Sequence, residues 1–193
     1  MTTSPVISRF LTATSYAIPE DKMSAPIANN DPTHYDFMTV LKTYSEHQTQ
    51  GGFRDYFSFS DWCAGHDKDH HEGTSCVTLE YKEASAQKVR DMLPELGFAC
   101  YEIETRNGRS DTVLFAFPVS EWLDHEDTTR AASLIAAMLE ATGLKKHSFL
   151  YTYFFRFRAN AAIAFHEGAP FSRKIIAAAN EAGIFVKIAR WMR

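Results

Sequence analysis

The densest group of chemically capable residues lies between Trp62 and Cys76, in the run WCAGHDKDHHEGTSC. Zinc favours thiolate and imidazole ligands, and Cys63, His66, His70 or His71, and Cys76 would supply a four-ligand site from one compact loop. The order differs from a standard finger, because the second pair places His before Cys. Asp67, Asp69 and Glu72 suit a harder cation, yet the regular ligand positions and closing bidentate Glu of a calcium hand are missing. The competing reading is a solvated polar loop. The same cysteines and histidines also allow a Cys–His nucleophile pair, with no third, orienting residue singled out.

Other chemistry is scarce. The sequence has no G-x-S-x-G elbow, phosphate loop, dinucleotide fingerprint or H-E-x-x-H helix. His166-Glu167-Gly168 reads as a loop ahead of a helix near Pro170. From Ser148 to Arg158, Tyr151, Tyr153, Phe155 and Phe157 fall on one face of a predicted strand, with Thr152, Phe154, Arg156 and Arg158 on the other. Aromatic rings beside arginines can stack bases and neutralise phosphates. Such rings also fill sheet cores. Arg106 and Arg109, in a predicted hairpin turn, and Lys187 and Arg190, near the end of the sequence, complete the candidate nucleic-acid-binding set.

Charge is unevenly divided. Residues 1–143 carry 11 Lys/Arg against 22 Asp/Glu, net −11, whereas residues 144–193 carry nine Lys/Arg against two acids, net +7. A basic end on an acidic body suits a phosphate-bearing partner; alternatively, the two parts attract each other across the fold. Three cysteines leave at least one unpaired, which fits a reducing compartment. There is no basic n-region followed by an apolar stretch at the start and no membrane-length apolar run, so a cytoplasmic protein without a membrane partner is expected.

The elements that must position these residues follow from periodicity. Residues 1–32, interrupted by Pro5, Pro19, Pro26 and Pro32, read as a loosely ordered arm before a single domain over 33–193. Phe37, Val40, Leu41 and Tyr44 predict a helix ending at Gly51-Gly52, followed by an extended stretch with Phe53, Phe57 and Phe59 on one face. Val77 to Tyr81 reads as a buried strand. Ser85 caps a predicted helix with Val89, Met92, Leu93 and Leu96 inward and Gly97 at its end. Strands over Phe98–Thr105 and Thr112–Val119 form a hairpin. Asp124 and Asp127 open a helix whose core face is Leu134, Ile135, Met138 and Leu139. The strand over Ser148–Arg158, a helix from Pro170 to Gly183 and a strand over Ile184–Ile188 complete the chain.

The predicted fold is α+β: a ferredoxin-like or RRM-like βαββαβ core over 76–158, helices mainly on one face, with N-terminal and C-terminal additions. Within it, the stretches SCVTLEYKEAS, YEIETRNGRSD, LFAFPVSEW and HEDTTRAASLIAAML resemble, in order, the primase-polymerase domains of phage and plasmid replication proteins. The resemblance implies metal-dependent nucleotidyl transfer with Mg or Mn. Glu80 falls at the first acid of the family's paired motif, but Lys82 replaces the second, with Glu83 adjacent. Asn107 or Gly108 stands where the family has a nucleotide-holding His, and Lys145–His147 where it has a further acid. The resemblance therefore implies a replication-associated protein of a mobile genetic element that binds nucleic acid without efficient catalysis. The alternative is a phage-type accessory protein whose acidic part binds and inhibits a basic host defence or nucleic-acid-processing protein.

Overall fold

The computed structural model describes residues 7–10, 38–43, 45–46, 56–62, 71–107, 110–140, 149–150, 155–158 and 160–184. In chain order the elements are β1 (Ser8–Phe10), a helical stretch α1 over residues 38–43 and 45–46, β2 (Tyr56–Ser58), β3 (Ser60–Trp62) and β4 (His71–Lys82). Then come α2 (Glu83–Leu96), β5 (Cys100–Asn107), β6 (Ser110–Leu123), α3 (His125–Glu140), β7 (Phe149–Leu150), β8 (Ile163–His166) and α4 (Arg173–Glu181). The fold is α+β, as expected. None of the described helices is long and apolar enough to cross a membrane.

The main sheet is antiparallel in the order β3-β4-β6-β5-β8, and β7 also pairs with β4. Strand alternation sends successive side chains to opposite faces, and both faces here are apolar. On one face Val77, Leu79, Tyr81, Val113, Phe115, Phe117 and Val119 pack with Val89 and Leu93 of α2, Ile135 and Leu139 of α3, and Ile176 of α4. On the other, Cys76, Tyr101, Ile103, Leu114 and Ala116 pack against Ile7, Leu41, Phe57, Phe59, Phe155 and Phe157.

This second layer is closed by backbone pairing. From β3, on the edge of β4, the chain leads back through Phe59 to β2, where Phe57 and Phe155 exchange hydrogen bonds of 2.8 and 2.9 Å. Phe157 then bridges Thr105 on β5. Backbone contacts thus run from one side of the sheet around to the other.

The helix ends follow local chemistry. Gly97 takes the left-handed conformation at φ 68° and closes α2, its N–H donating to the Leu93 carbonyl at 3.2 Å. Asp124 Oδ1 accepts from the Asp127 N–H at 2.8 Å ahead of α3. Three expectations are corrected. Helix α2 begins at Glu83 after an extended Lys82, two residues before the expected Ser85 cap. Ser172 caps α4, accepting from the Lys174 N–H, so Pro170 lies outside the helix. Met138 is 36% exposed and does not belong to the core face of α3.

The stretch Ser148–Arg158 also differs from the single strand expected. Phe149 and Leu150 pair with β4, while Phe155 and Phe157 bridge β2 and β5, on the opposite side of the sheet. His166, expected in a loop with Glu167 and Gly168, instead ends β8, which pairs Ile163–His166 with β5. Within the N-terminal stretch read as an arm, β1 pairs with β2 and Ile7 is buried in the second layer.

Candidate functional site

Glu80 projects from β4 into the second layer and is 4% exposed. Its Oε1 accepts hydrogen bonds from Thr105 at 2.9 Å and Thr112 at 2.6 Å, and these two hydroxyls lie 3.0 Å apart. The hairpin creates this arrangement: Thr105 and Thr112 are cross-strand partners, and Thr112 is also the partner of Lys82. A buried carboxylate is costly unless hydrogen-bonded, and the two hydroxyls supply that compensation.

The neighbouring positions do not complete a cation centre. Lys82 is exposed and Glu83 opens α2, 3.9 Å from Arg90. Asn107 ends β5, whereas Gly108 and residues 145–147 lie outside the described residues. Two-metal phosphoryl transfer needs several converging carboxylates. The described residues at the matched positions bring only Glu80 to this point, so they do not fit a two-metal Mg or Mn centre. Among the described residues, no group of three or more His, Cys, Asp or Glu side chains is placed to hold a metal ion.

The sheet face around Glu80 is lined with rings. Phe155 and Phe157 are 3% and 4% exposed, with Phe157 edge-on to Phe57 at 4.8 Å and Phe155 stacked on Phe59 at 5.2 Å. These two aromatic residues are therefore core. Tyr151 and Tyr153 lie outside the described residues, as do Arg109, Lys187 and Arg190.

Of the candidate zinc ligands, Cys63, His66 and His70 lie outside the described residues. Cys76 is buried in the second layer, and burial pushes its thiol far above the ordinary range. His71 opens β4, its Nε2 2.8 Å from the Thr74 hydroxyl and its ring edge-on to His125 at 6.2 Å. Burial, reinforced by His125 and partly offset by Asp124, lowers His71 to about 4.

A second polar cluster was not anticipated from sequence. Glu102 on β5 receives Arg90 Nε from α2 at 2.6 Å and pairs with His166 Nε2 from β8 at 2.8 Å. Burial alone would raise its carboxyl, but the hydrogen bonds from Arg90 and His166 hold it below the usual range. Cys100 is the direct cross-strand partner of His166, which places a thiol beside an imidazole oriented by a carboxylate. It is not an activated nucleophile: Cys100 is fully buried, its thiol is pushed up by desolvation, and it contacts the Tyr101 carbonyl at 3.5 Å. The signal available in the sequence was the alternation Cys100-x-Glu102-x-Glu104, which puts both acids on one face of a strand.

The arginines of the 155–158 segment align with β5. Arg106 N–H donates to the Arg156 carbonyl at 2.9 Å and Arg158 N–H to the Glu104 carbonyl at 3.1 Å. Arg158 extends to Glu104 Oε2 at 2.5 Å and lies 4.0 Å from Asp111. Arg106 is exposed and Arg156 half-buried.

Compared with family models, curated proteins and solved structures, the chain matches none. Function must be argued from these side chains.

Proposed function

We propose that this chain is a replication-associated, primase-polymerase-like protein of a mobile genetic element, which binds nucleic acid without efficient catalysis. One observation carries the reading. Glu80 and Thr105, matched to two different motifs of that family and 25 residues apart, meet in one hydrogen bond. The sheet supports the same lineage: β7, β4, β6 and β5 lie in the order that a split β-α-β unit with ferredoxin-like connections produces, α2 and α3 being its crossovers.

The same site argues against efficient synthesis. Glu80 is buried, its hydroxyl partners occupy Oε1, and Lys82 brings a positive charge where a second acid would be needed. Primer extension with Mg or Mn tests this directly. No extension above background is expected, and Glu80→Ala should change nothing. Robust synthesis by the wild type that Glu80→Ala abolishes overturns the proposal.

A second reading, a phage-type accessory protein that inhibits a basic host protein, draws on the ion pairs. Arg90, Arg130, Arg158 and Arg173 each sit on a carboxylate of this chain, while residues 1–143 retain a net charge of −11. A stoichiometric complex with a basic host protein, dissociated by nucleic acid, is its expected signature.

A further inference from the structure

Among the described residues the only exposed large apolar side chains are Trp122, at 38%, and Met138, at 36%. Trp122 stands one residue from the end of β6, and since Leu123 packs on the helix-covered face of the sheet, strand alternation turns the indole to the opposite one. A lone exposed ring is ordinary, but this one has a built seat. It lies on Gly73, a buried residue of β4, where a Cβ would stand 2.7 Å from Trp122 Cε3 and 3.4 Å from Cδ2. Glycine within a strand forfeits side-chain packing, and here it lets the ring approach the backbone. The backbone under the ring is pinned as well. Arg173 Nη2 donates to the Trp122 carbonyl at 3.0 Å, its Nε meets Asp127 at 2.7 Å, and its backbone N–H donates to Glu121 Oε1 at 2.7 Å. Glu121 Oε2 accepts from the Ser120 hydroxyl at 2.7 Å, so both oxygens of this carboxylate serve the chain itself. The Arg173 side chain nevertheless stays 48% exposed.

We infer that Trp122 is a stacking platform for one unpaired base of a single-stranded nucleic acid, with the Arg173 guanidinium at its edge for the flanking phosphate. This deepens the nucleic-acid reading and rests on it. Stacking needs a π-face that is open to solvent yet held in place, and the indole on Gly73 meets both conditions. Phe155 and Phe157, the rings expected to do this work, are packed inside the second layer and offer no such face. A guanidinium anchored to the carbonyl of the same residue adds the charge that a phosphodiester answers. Because every base has a π-face, the contact tolerates any sequence but requires a base.

Fluorescence anisotropy of the full chain with two single-stranded DNA probes of equal length, an oligothymidine and one abasic throughout, tests this as a cycle. The wild type should prefer the normal probe by roughly 5- to 100-fold, the scale of one stacked base. Trp122→Ala should bring the normal probe down to the abasic affinity and leave the abasic probe unchanged. Gly73→Ala, which keeps the indole but displaces it from its seat, should also abolish the preference, whereas Trp122→Phe, with a smaller ring, should retain part of it. A variant that merely loosened the fold would weaken both probes together. Equal binding of the two probes by the wild type overturns the inference, as does a Trp122→Ala loss of the same size on both. If the wild type binds neither probe but binds polylysine, the nucleic-acid reading itself fails in favour of a basic partner, a result distinct from base-independent DNA binding.

Discussion

The Thr112 hydroxyl lies 2.6 Å from Glu80 Oε1, although Thr112 and Glu80 stand on adjacent strands two residues out of register, Glu80 facing Leu114 and Thr112 facing Lys82. This contact, with its companion from Thr105, seats a buried carboxyl group among apolar side chains. Glu80→Ala removes the acceptor shared by two buried hydroxyls, leaving them only each other at 3.0 Å, and should cost about 1–3 kcal/mol in urea unfolding. Glu80→Gln keeps an acceptor at the same place and should cost less. Equal losses for the two variants would show that the hydroxyl contacts contribute little.

Phe157 should be among the most sensitive positions. Its ring meets Phe57 at 4.8 Å and Phe155 at 5.4 Å, and truncation leaves a cavity in the second layer. Phe157→Ala should cost about 3–5 kcal/mol, a large share of the roughly 5–15 kcal/mol that holds a domain folded. Phe157→Leu should recover much of this. The measurement is the urea midpoint at unchanged m-value.

Stability should fall on acidification through His71. Its folded-state value, about 4, lies below the ordinary 6.5, so between these pH values the unfolded chain binds more protons. The contribution is fully present above about pH 6.5 and declines as pH falls towards 4. Its size is on the order of 1–3 kcal/mol, after allowance for partial solvent screening. His71→Gln should flatten the stability profile across that window, and an unchanged slope would exclude His71 as the source.

Two glycines should respond differently to alanine. A Cβ at Gly168 would lie 2.3 Å from the Phe98 carbonyl carbon and 2.5 Å from the Ala99 nitrogen, backbone atoms fixed by the Ala99 N–H to Ala169 carbonyl bond of 2.8 Å. Gly168→Ala should therefore cost on the order of 1–3 kcal/mol through overpacking. At Gly97 nothing lies within 4 Å of a Cβ, and only the φ of 68° resists substitution, at about 1–2 kcal/mol. Urea unfolding of the two variants measures both losses, with the m-value as a check on compactness. Rescue of the Gly168 loss by Gly168→Ser would contradict the overpacking account.

Local periodicity carried much of the fold. Val77, Leu79 and Tyr81 alternate as a strand, Gly97 closes its helix, and Asp124 caps the next, because each depends on chemistry within a few residues. Pairing over long separations was not legible in that way. Nothing local distinguishes Phe155, which bridges β2, from Phe149, which pairs on β4. The candidate site followed the same division. Glu80 was identified from its motif position, whereas Thr105 and Thr112 acquire their role only because the hairpin brings both hydroxyls to one oxygen. Glu102 and His166 were missed as a pair because His166 reads, with Glu167 and Gly168, as a loop, and only the long-range pairing of β8 with β5 brings it to Glu102.

The ring of contacts through Phe59 has a consequence for autonomy. The stretch 76–158 reads as a self-contained module, yet one of its two apolar layers is completed by Ile7, Leu41, Phe57 and Phe59, which lie before it in the chain. Excised, it would expose Ile103, Leu114 and Ala116 to water. Folding must also wait for closure of loops that join residues near position 7 to residues near position 155, a topology that favours slow, highly cooperative assembly. The smallest unit able to fold is consequently set by the second layer, and it reaches back to Ile7.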